Sequence, residues 1–572
     1  MATALRDCVK AAPTAAADWS VVFEYELPLE GGRRPDVVVL AGEAVLVIEF
    51  KTHALPALAD VDQVLGYARD LSDYHAACRG RRVVPMLLLQ EAAPGFARQY
   101  QDVWLLSPSA LARYLHEEAA EGAIVLDDWL NAPYSPLPTL VEAARRIFLH
   151  EPLPHVHTAI ATGIPETVEL LGRLAERASI EGQRVLAFVT GVPGSGKTLV
   201  GLRLVYERSG VDGRATFLSG NGPLVTVLQD ALKSRVFVRD LHAFIKTYGL
   251  SDRRKPEEHV IVFDEAQRAW DAQYMEVKRG IDASEPALLV RAGERIDGWA
   301  TLVGLVGEGQ EIHSGEEGGL PQWKEAASPP TASLPWRIHC PPRLVPEFEG
   351  LDVSSHDELD LTVTLRSRRA EHLHRWVALM LEGSLALAAR LASRIHEQVY
   401  PMYLTRDLDE AKRYVIDRYD GDPDATYGLV ASSHAKLLRR KGVDNSYMAT
   451  SRMNIAKWFN APKGDPSAAT ALVQPVTEFG CQGLELDLPI VCWGEDYNWN
   501  GTSWQLTPIR RRSPQHDPKQ LLRNAYRVVL TRGRDGLVVW IPDDRKLDHV
   551  ETALLAAGIR PMPQAAELAA YA

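Results

Sequence analysis

One eight-residue segment constrains the fold of this chain more than any other. It runs from Gly191 to Thr198 (GVPGSGKT), follows an apolar stretch over 184–190 and precedes an amphipathic stretch over 198–208. Glycines at these positions let backbone N–H groups close around phosphate oxygens at a helix N-terminus, while lysine supplies a positive charge and the final hydroxyl a Mg2+ ligand. The segment therefore predicts a strand, a phosphate-binding loop and a helix. The residues expected to hold the nucleotide are Gly191, Pro193, Gly194, Ser195, Gly196, Lys197 and Thr198, with Thr198 also a metal ligand.

A second motif supplies the carboxylates that a nucleotide-bound metal needs. An apolar run over 260–263 ends in Asp264 and Glu265. We expect Asp264 to hold Mg2+ and Glu265 to orient or deprotonate the attacking water, since phosphoryl transfer depends on positioning and charge neutralisation. Together the two motifs predict ATP and Mg2+ as cofactors.

Length and sequence texture divide the chain into several units. Its 572 residues exceed a typical domain of roughly 100 to 200 residues. Strand-like and helical stretches alternate up to about residue 130, a proline-rich segment follows, and strand–helix alternation resumes near residue 160. We predict an α/β fold class, with a mixed α/β domain over 1–130, a linker over 131–160, and two parallel α/β domains over 161–335 and 336–572.

Composition limits the partners and the compartment. The formal net charge of −12 argues against a generally basic surface, so any contact with a polyanion must be local. The five cysteines are scattered and never spaced as Cys-x-x-Cys, which fits a reducing compartment. No apolar run approaches the ~20 residues that span a bilayer. The sequence therefore predicts a cytoplasmic protein without membrane contact.

Four downstream segments resemble motifs III to VI of superfamily 1 helicases of the UvrD and Rep type. They lie at 307–310, 365–367, 481–485 and 526–532. A further segment, SGNGPL over 219–224, is similar to a sequence found in a little-studied bacterial branch of this group. The resemblance implies that the two parallel domains are RecA-like motor domains. It also implies that Gln310 couples the presence of the γ-phosphate to the nucleic-acid channel. Arg366 and Arg532 would act as arginine fingers, and Glu485 would contact the ribose.

A second set of charged residues lies in the N-terminal domain. Asp36 begins an apolar strand, and the next strand ends in Glu49-Phe-Lys51. Because Glu49 and Lys51 are two residues apart, both project from one face of their strand. Two carboxylates and one ammonium group converging there suit metal-dependent phosphodiester hydrolysis, with Asp36 and Glu49 as ligands of Mg2+ or Mn2+ and Lys51 positioning the water.

This pattern resembles the PD-(D/E)-x-K nuclease family, including its restriction-endonuclease and RecB-type members. Gln63 and Tyr67 are four residues apart on a predicted helix and look like the Gln-x-x-x-Tyr signature that supports the active site in the RecB-like branch. The resemblance implies a restriction-endonuclease-like N-terminal domain. Glu24 or Glu26 is expected to add a further acidic group, and the sequence does not choose between them.

The combined hypothesis is an ATP-dependent nuclease-helicase or translocase acting on DNA. Single-stranded DNA is the expected partner because the resembled nucleases cut DNA, although the motor motifs do not separate DNA from RNA. By analogy of architecture alone, the role is anti-phage defence or DNA repair. Two alternatives stay open: an ATP-gated recognition switch without processive movement, and a remodeller whose nuclease fold is inactive.

Overall fold

A computed structural model describes most of the 572 residues. The described residues are 6, 18–28, 30, 32–134, 136, 141, 144–145, 163–191, 195–209, 215–250, 254–307, 319–361, 365–506 and 518–563, the side chains of 365–370 and 518 excepted. Within them the chain forms three large sheets with flanking helices and one two-stranded hairpin. None of the helices in these ranges combines the length and the apolarity that crossing a bilayer requires. The predicted α/β fold class is confirmed.

The N-terminal domain is a mixed sheet with helices on both sides. Its strands are β1 (Ser20–Phe23), β2 (Val37–Ala41), β3 (Ala44–Lys51), β4 (Val83–Leu89), β5 (Ala97–Tyr100) and β6 (Val103–Leu106), and its helices are α1 (Leu58–Tyr74), α2 (Pro108–Glu118) and α3 (Leu126–Leu130). The strand order is β1-β2-β3-β4-β6-β5. β3, β4 and β6 run parallel, and the other neighbouring pairs are antiparallel.

Alternating side chains on the central strands build the core of this domain. Val38 and Val47 pack with the apolar side chains of α1, while Val39 and Leu46 pack with those of α2. Successive residues of a strand face opposite sides of a sheet, so a continuous apolar run fills both layers. This packing fixes the two strand ends that carry the candidate N-terminal site.

Gly42 closes the turn between β2 and β3. Its φ is +67°, and a Cβ at this position would lie 1.7 Å from the backbone oxygen of Ala120. Only glycine combines this backbone conformation with so close an approach. The tight turn sets the register Val37↔Ile48, which places the start of β2 beside the end of β3.

The first RecA-like domain contains a seven-stranded, all-parallel sheet. Its strands are β7 (Arg184–Thr190), β8 (Ala215–Ser219), β9 (Val238–Asp240), β10 (Val260–Phe263), β11 (Ala300–Val306), β12 (Arg337–Cys340) and β13 (Asp352–Ser355). Its helices are α4 (Ile164–Glu181), α5 (Lys197–Ser209), α6 (Gly222–Ala231), α7 (Leu241–Phe244), α8 (Ala272–Arg279), α9 (Glu285–Glu294) and α10 (Pro321–Ala327). The strand order is β13-β12-β7-β11-β10-β8-β9.

The first sheet extends past the domain boundary expected at 335–336. β12 pairs with β7, and β13 pairs with β12, so the chain returns to the first sheet after residues 307–336, a segment rich in glycine, proline and glutamate. That composition resembles a linker, but here it is an excursion within one domain. The predicted boundary therefore falls inside the first sheet, which continues to Ser355.

The second RecA-like domain holds a six-stranded parallel sheet of order β16-β15-β17-β20-β14-β21 and the hairpin β18-β19. These strands are β14 (Met402–Thr405), β15 (Tyr427–Ala431), β16 (Val476–Thr477), β17 (Leu488–Cys492), β18 (Tyr497–Trp499), β19 (Trp504–Leu506), β20 (Leu537–Trp540) and β21 (Arg560–Pro561). The helices are α11 (Leu365–Glu382), α12 (Leu385–Glu397), α13 (Leu408–Arg418), α14 (Lys436–Arg440), α15 (Tyr447–Thr450), α16 (Ile455–Asn460), α17 (Glu478–Cys481), α18 (Pro518–Leu530) and α19 (Asp548–Ala556).

The N-terminal domain packs on the second RecA-like domain through α1 and α13. Leu58 and Ala59 join a buried apolar cluster that contains Tyr414. The buried carboxylate of Asp62 accepts hydrogen bonds from the hydroxyl groups of Tyr414 at 2.6 Å and Tyr403 at 3.3 Å. Burying a carboxylate is costly unless it is paired, so these bonds specify one docked arrangement.

Candidate functional site

The predicted phosphate-binding loop joins β7 to α5. Lys197, the first residue of α5, is buried, and its Nζ donates to the carbonyl oxygen of Gly191 at 2.7 Å. Gly196 has a φ of +93°, and a Cβ there would lie 2.6 Å from Cδ1 of Ile164. The buried hydroxyl of Ser195 has no hydrogen-bond partner within the described ranges. Backbone amides, a lysine and a free hydroxyl are the donor types that a triphosphate requires.

Two carboxylates lie at the end of β10, beside the start of α5. Thr198 Oγ1 donates to Asp264 Oδ1 at 3.3 Å. Burial, followed by the charge of Glu265, raises the pKa of Asp264 to about 7, against the lowering effect of Lys197. Glu265 adopts the left-handed conformation with a φ of +55°, which is uncommon outside glycine and concentrates at functional positions. Thr198 and Asp264 are therefore the available ligands for a divalent cation beside the loop.

Gln267 connects this carboxylate pair to the end of β11. Its Nε2 donates to Glu265 Oε2, and its Oε1 accepts from the backbone N–H of Gly307 at 2.8 Å. A Cβ on Gly307 would lie 3.1 Å from both Gln267 Nε2 and Glu265 Oε2. The end of β11 therefore lies very close to these two side chains. The sequence analysis gave Gln267 no role. Its only signal was its place two residues after Glu265.

The two RecA-like domains meet across a cleft at these motifs. The side-chain amide of Asn221 donates to the carbonyl oxygen of Gln482 at 2.5 Å, and Gly483 packs against the same asparagine. A cavity next to this contact is lined from both domains; its lining includes Thr198, Asp264, Glu265, Arg268, Gln482 and Gly483. The segments at 219–224 and 481–485 thus contact each other across the cleft.

The predicted arginine finger Arg532 is buried in its own domain in this structure. Its guanidinium donates to the carbonyl oxygens of Val528 at 2.8 Å and Leu484 at 3.3 Å. His374, on α11, is buried near charges of both domains: burial and then the charges of Arg532, Arg527 and Lys197 lower its pKa to about 3. The sequence analysis missed His374, since a single histidine in an amphipathic helix carries no distinctive spacing.

Several predicted residues cannot be compared in full. Pro193, Gly194 and Gln310 lie outside the described residues, and so does the side chain of Arg366, whose backbone belongs to α11. Glu485 is described, and its Oε2 lies 3.9 Å from Nε of Arg534 in the second RecA-like domain. Its predicted contact with a ribose stays a prediction.

The structure brings together all five residues predicted for the N-terminal site. Asp36 Oδ2 accepts from the backbone N–H of Phe50 at 2.7 Å, and Glu49 Oε2 accepts from the backbone N–H of Asp36 at 3.4 Å. Lys51 Nζ lies 3.2 Å from Glu49 Oε1 and donates to Gln63 Oε1 at 2.8 Å. The side-chain amide of Gln63 also donates to the hydroxyl of Tyr67 at 3.4 Å.

The charges of this site act strongly on one another. Burial, and then the neighbouring charge of Asp36, raise the pKa of Glu49 to about 7. Burial also raises the pKa of Asp36, with a further contribution from the charge of Glu24. Two carboxylates that resist joint ionisation are suited to a divalent cation, which would relieve their repulsion. In the part of the chain that the structure describes, no group of three histidine, cysteine, aspartate or glutamate side chains is arranged to hold a metal.

Two further residues belong to this site and were not predicted from the sequence: Asp60 beside Lys51, and His53 beside Asp60. Asp60 lies in the first turn of α1. Its Oδ1 is 3.6 Å from Lys51 Nζ, and its Oδ2 is 2.8 Å from His53 Nε2. Burial lowers the pKa of Lys51, but the charges of Glu49 and Asp60 outweigh it and raise that pKa above its ordinary value. Asp60 lies one helical turn before Gln63, a spacing that could have indicated it.

Comparison with known proteins decides the family of the motor. The profile of the Schlafen group 3, DNA/RNA helicase domain matches residues 184–543, which is more than half of the chain. The chain belongs to the Schlafen group 3 helicase family. No curated protein matches it.

The Schlafen group 3 match covers the phosphate loop, the Asp264–Glu265 pair and the segments at 481–485 and 526–532, and it excludes the N-terminal domain. The predicted helicase motor is confirmed, whereas the UvrD and Rep type and the N-terminal nuclease stay predictions. Among solved structures, the helicase domain of Pyrococcus furiosus Hef is similar over 67% of this chain and 97% of that chain, with 10% identity and a TM-score of 0.26. A similarity this low supports no argument about function.

Proposed function

We propose that this Schlafen group 3 helicase chain is an ATP-dependent DNA translocase whose N-terminal domain cleaves the strand that the motor engages. The observation that supports the motor is the cleft between the RecA-like domains, where Thr198 and Asp264 line a cavity together with Gln482 and Gly483. The observation that supports cleavage is the cluster of Asp36, Glu49 and Lys51 around Gln63 and Tyr67.

ATP with Mg2+ fits the residues at the phosphate loop. Lys197 and Ser195 would hold the phosphate oxygens, while Thr198 and Asp264 would hold the cation through hydroxyl and carboxylate oxygens. Burial and the charge of Glu265 raise the pKa of Asp264, and a bound cation would favour its ionised form. When bound, ATP with Mg2+ supplies the γ-phosphate to be hydrolysed. Glu265, held by Gln267, would orient the attacking water.

At the N-terminal site, the chain's own residues would position water against a phosphodiester. Asp36 and Glu49 would hold Mg2+ or Mn2+, the cation that polarises the phosphate when bound. Lys51 would stabilise the developing negative charge, and Gln63 would fix the lysine through the bond at 2.8 Å. Cleavage of DNA, rather than RNA, rests on the resemblance to the PD-(D/E)-x-K nucleases, and the setting in defence or repair rests on architecture.

The low solvent exposure of the N-terminal site favours a second candidate function, that of a remodeller with an inactive nuclease fold. Glu49 is 6% exposed and Tyr67 is 5% exposed, so a strand reaches them only if neighbouring groups move. Mg2+-dependent cleavage of DNA by the intact chain would exclude this candidate.

DNA-stimulated ATP hydrolysis tests the motor. We expect single-stranded DNA to accelerate hydrolysis by the wild-type chain, and Lys197→Ala to abolish it, because the lysine charge at the phosphates is lost. Lys233→Ala is the matched control, since that lysine is 75% exposed and pairs with Asp230 on the same domain. Equal hydrolysis by Lys197→Ala and Lys233→Ala would refute the assignment of the phosphate site.

A further inference from the structure

The N-terminal site is completed by a group from the second RecA-like domain. Gln63 uses its Oε1 to accept from Lys51, so its Nε2 points to the opposite side. There it faces the hydroxyl of Tyr67 at 3.4 Å and the carbonyl oxygen of Asp420 at 3.5 Å. An amide presents its donor and its acceptor on different sides, so these two oxygens help to select the orientation that gives Lys51 an acceptor.

The Arg33 guanidinium lies over the ring of Tyr67 and close to carboxylates of both domains. Its guanidinium carbon lies 5.5 Å from the centre of the Tyr67 ring. Its NH1 lies 2.8 Å from Oδ2 of Asp70 in the N-terminal domain and 3.9 Å from Oδ2 of Asp535 in the second RecA-like domain. Its Nε lies 3.9 Å from Oδ2 of Asp422. The planar guanidinium can meet several carboxylates and a ring face at once, which an ammonium group cannot.

Asp535 is the anchor of this network on the motor side. Its Oδ1 lies 3.0 Å from NH2 of Arg69, and its Oδ2 accepts from the hydroxyl of Tyr419 at 3.3 Å. Burial raises its pKa, but the surrounding arginines outweigh burial and hold that pKa well below the usual range. Asp535 lies three residues after Arg532, so it belongs to the same loop as the predicted arginine finger.

We propose that Arg33 is a positioning residue of the N-terminal site and that Asp535 anchors it to the second RecA-like domain. The inference rests on the proposed nuclease function of that site. Contacts run without a break from Asp535 to Arg33, Tyr67, Gln63 and Lys51. On this proposal, a movement of the loop at 532–535 would change the support of Lys51, and the geometry of the site would then depend on the state of the motor.

The test is Arg33→Lys in the full chain, with Arg79→Lys as the matched control. Lysine keeps the charge and avoids an uncompensated buried carboxylate, but it loses the planar contact with Tyr67. Arg79 is an exposed arginine of the same domain. Three quantities are measured: kcat and KM for Mg2+-dependent cleavage of single-stranded DNA, the rate of ATP hydrolysis, and hydrogen–deuterium exchange over residues 58–74.

We expect Arg33→Lys to lower kcat by about tenfold or more with KM within about twofold, to leave ATP hydrolysis intact, and to speed exchange over 58–74. Arg79→Lys should match the wild type in all three. Retained ATP hydrolysis shows that the variant is folded. Wild-type kcat together with unchanged exchange in Arg33→Lys would overturn the proposal.

The exchange measurement separates this proposal from the nuclease function. If the wild type cleaves nothing and exchange still rises in Arg33→Lys, the nuclease function fails while the positioning contact stands. If the wild type cleaves nothing and exchange is unchanged, both fail. If the wild type cleaves and only KM rises in Arg33→Lys, Arg33 binds substrate and the positioning role is wrong.

Discussion

At the residue scale, the phosphate loop depends on a backbone conformation that one methyl group would block. Gly196 has a φ of +93°, which residues with a Cβ rarely adopt, and a Cβ there would also displace Cδ1 of Ile164. We expect Gly196→Ala to abolish nucleotide binding, measured with a fluorescent ATP analogue. Gly222→Ala is the control, because a Cβ at Gly222 meets nothing within 4 Å. Equal affinity of the two variants would contradict the proposed site.

Glu49 gives the N-terminal site a pH dependence. Its carboxyl pKa of about 7 exceeds the ordinary 4.5, so the folded protein binds this proton more tightly than the unfolded chain does. Ionising Glu49 therefore costs stability progressively as pH rises from about 4.5 to about 7. A divalent cation binds the ionised form, so its affinity should rise over the upper part of this range.

The measurement is calorimetric titration with Mn2+. One carboxyl group with this pKa goes from about a tenth to about nine tenths ionised between about pH 6 and about pH 8, so affinity should rise about tenfold. Glu49→Gln should lose this pH-dependent site, and Glu43→Gln, on the exposed turn of the same hairpin, should keep it. An affinity in the wild type that does not change with pH would be incompatible with Glu49 as a ligand.

At the scale of elements, the docking of α1 on α13 depends on the buried carboxylate of Asp62. Asp62→Asn keeps its size but loses the charge that two tyrosine hydroxyls and Arg418 face. We expect this change to destabilise the protein by about 1 to 3 kcal/mol, measured by denaturant unfolding. Asp128→Asn, at an exposed position, should shift stability by less than about 0.5 kcal/mol. Equal effects would show that Asp62 does not stabilise the interface.

Local elements were predictable where a short-range pattern fixes them. The strand over 184–190, the helix that follows the loop and the strand over 260–263 correspond to β7, α5 and β10, because glycines and apolar runs act within a few residues. β12 was assigned to the wrong domain, since its place beside β7 depends on pairing after a long excursion that resembles a linker. His374 was missed because only the folded chain brings it near the motor site, whereas the spacing of Asp60 from Gln63 was a signal that could have been used.

At the scale of the whole molecule, the packing of the N-terminal domain on the second RecA-like domain could not be predicted from the sequence. The contacts that join them, such as Arg69 to Asp535 and Asp62 to Tyr414, connect residues hundreds of positions apart. Each partner alone resembles an ordinary charged or aromatic surface residue. The arrangement places the candidate nuclease site against the domain that carries Arg532, which is the physical basis for expecting cleavage to respond to ATP.

The most direct test of this account is cleavage of end-labelled single-stranded DNA by the full chain with Mg2+, in the presence and absence of ATP. We expect Lys51→Ala to abolish cleavage while ATP hydrolysis persists, and Lys197→Ala to lose both ATP hydrolysis and the effect of ATP on the cleavage pattern. Cleavage that survives Lys51→Ala, or its absence in the wild type under every condition, would contradict a motor that delivers its strand to an N-terminal nuclease.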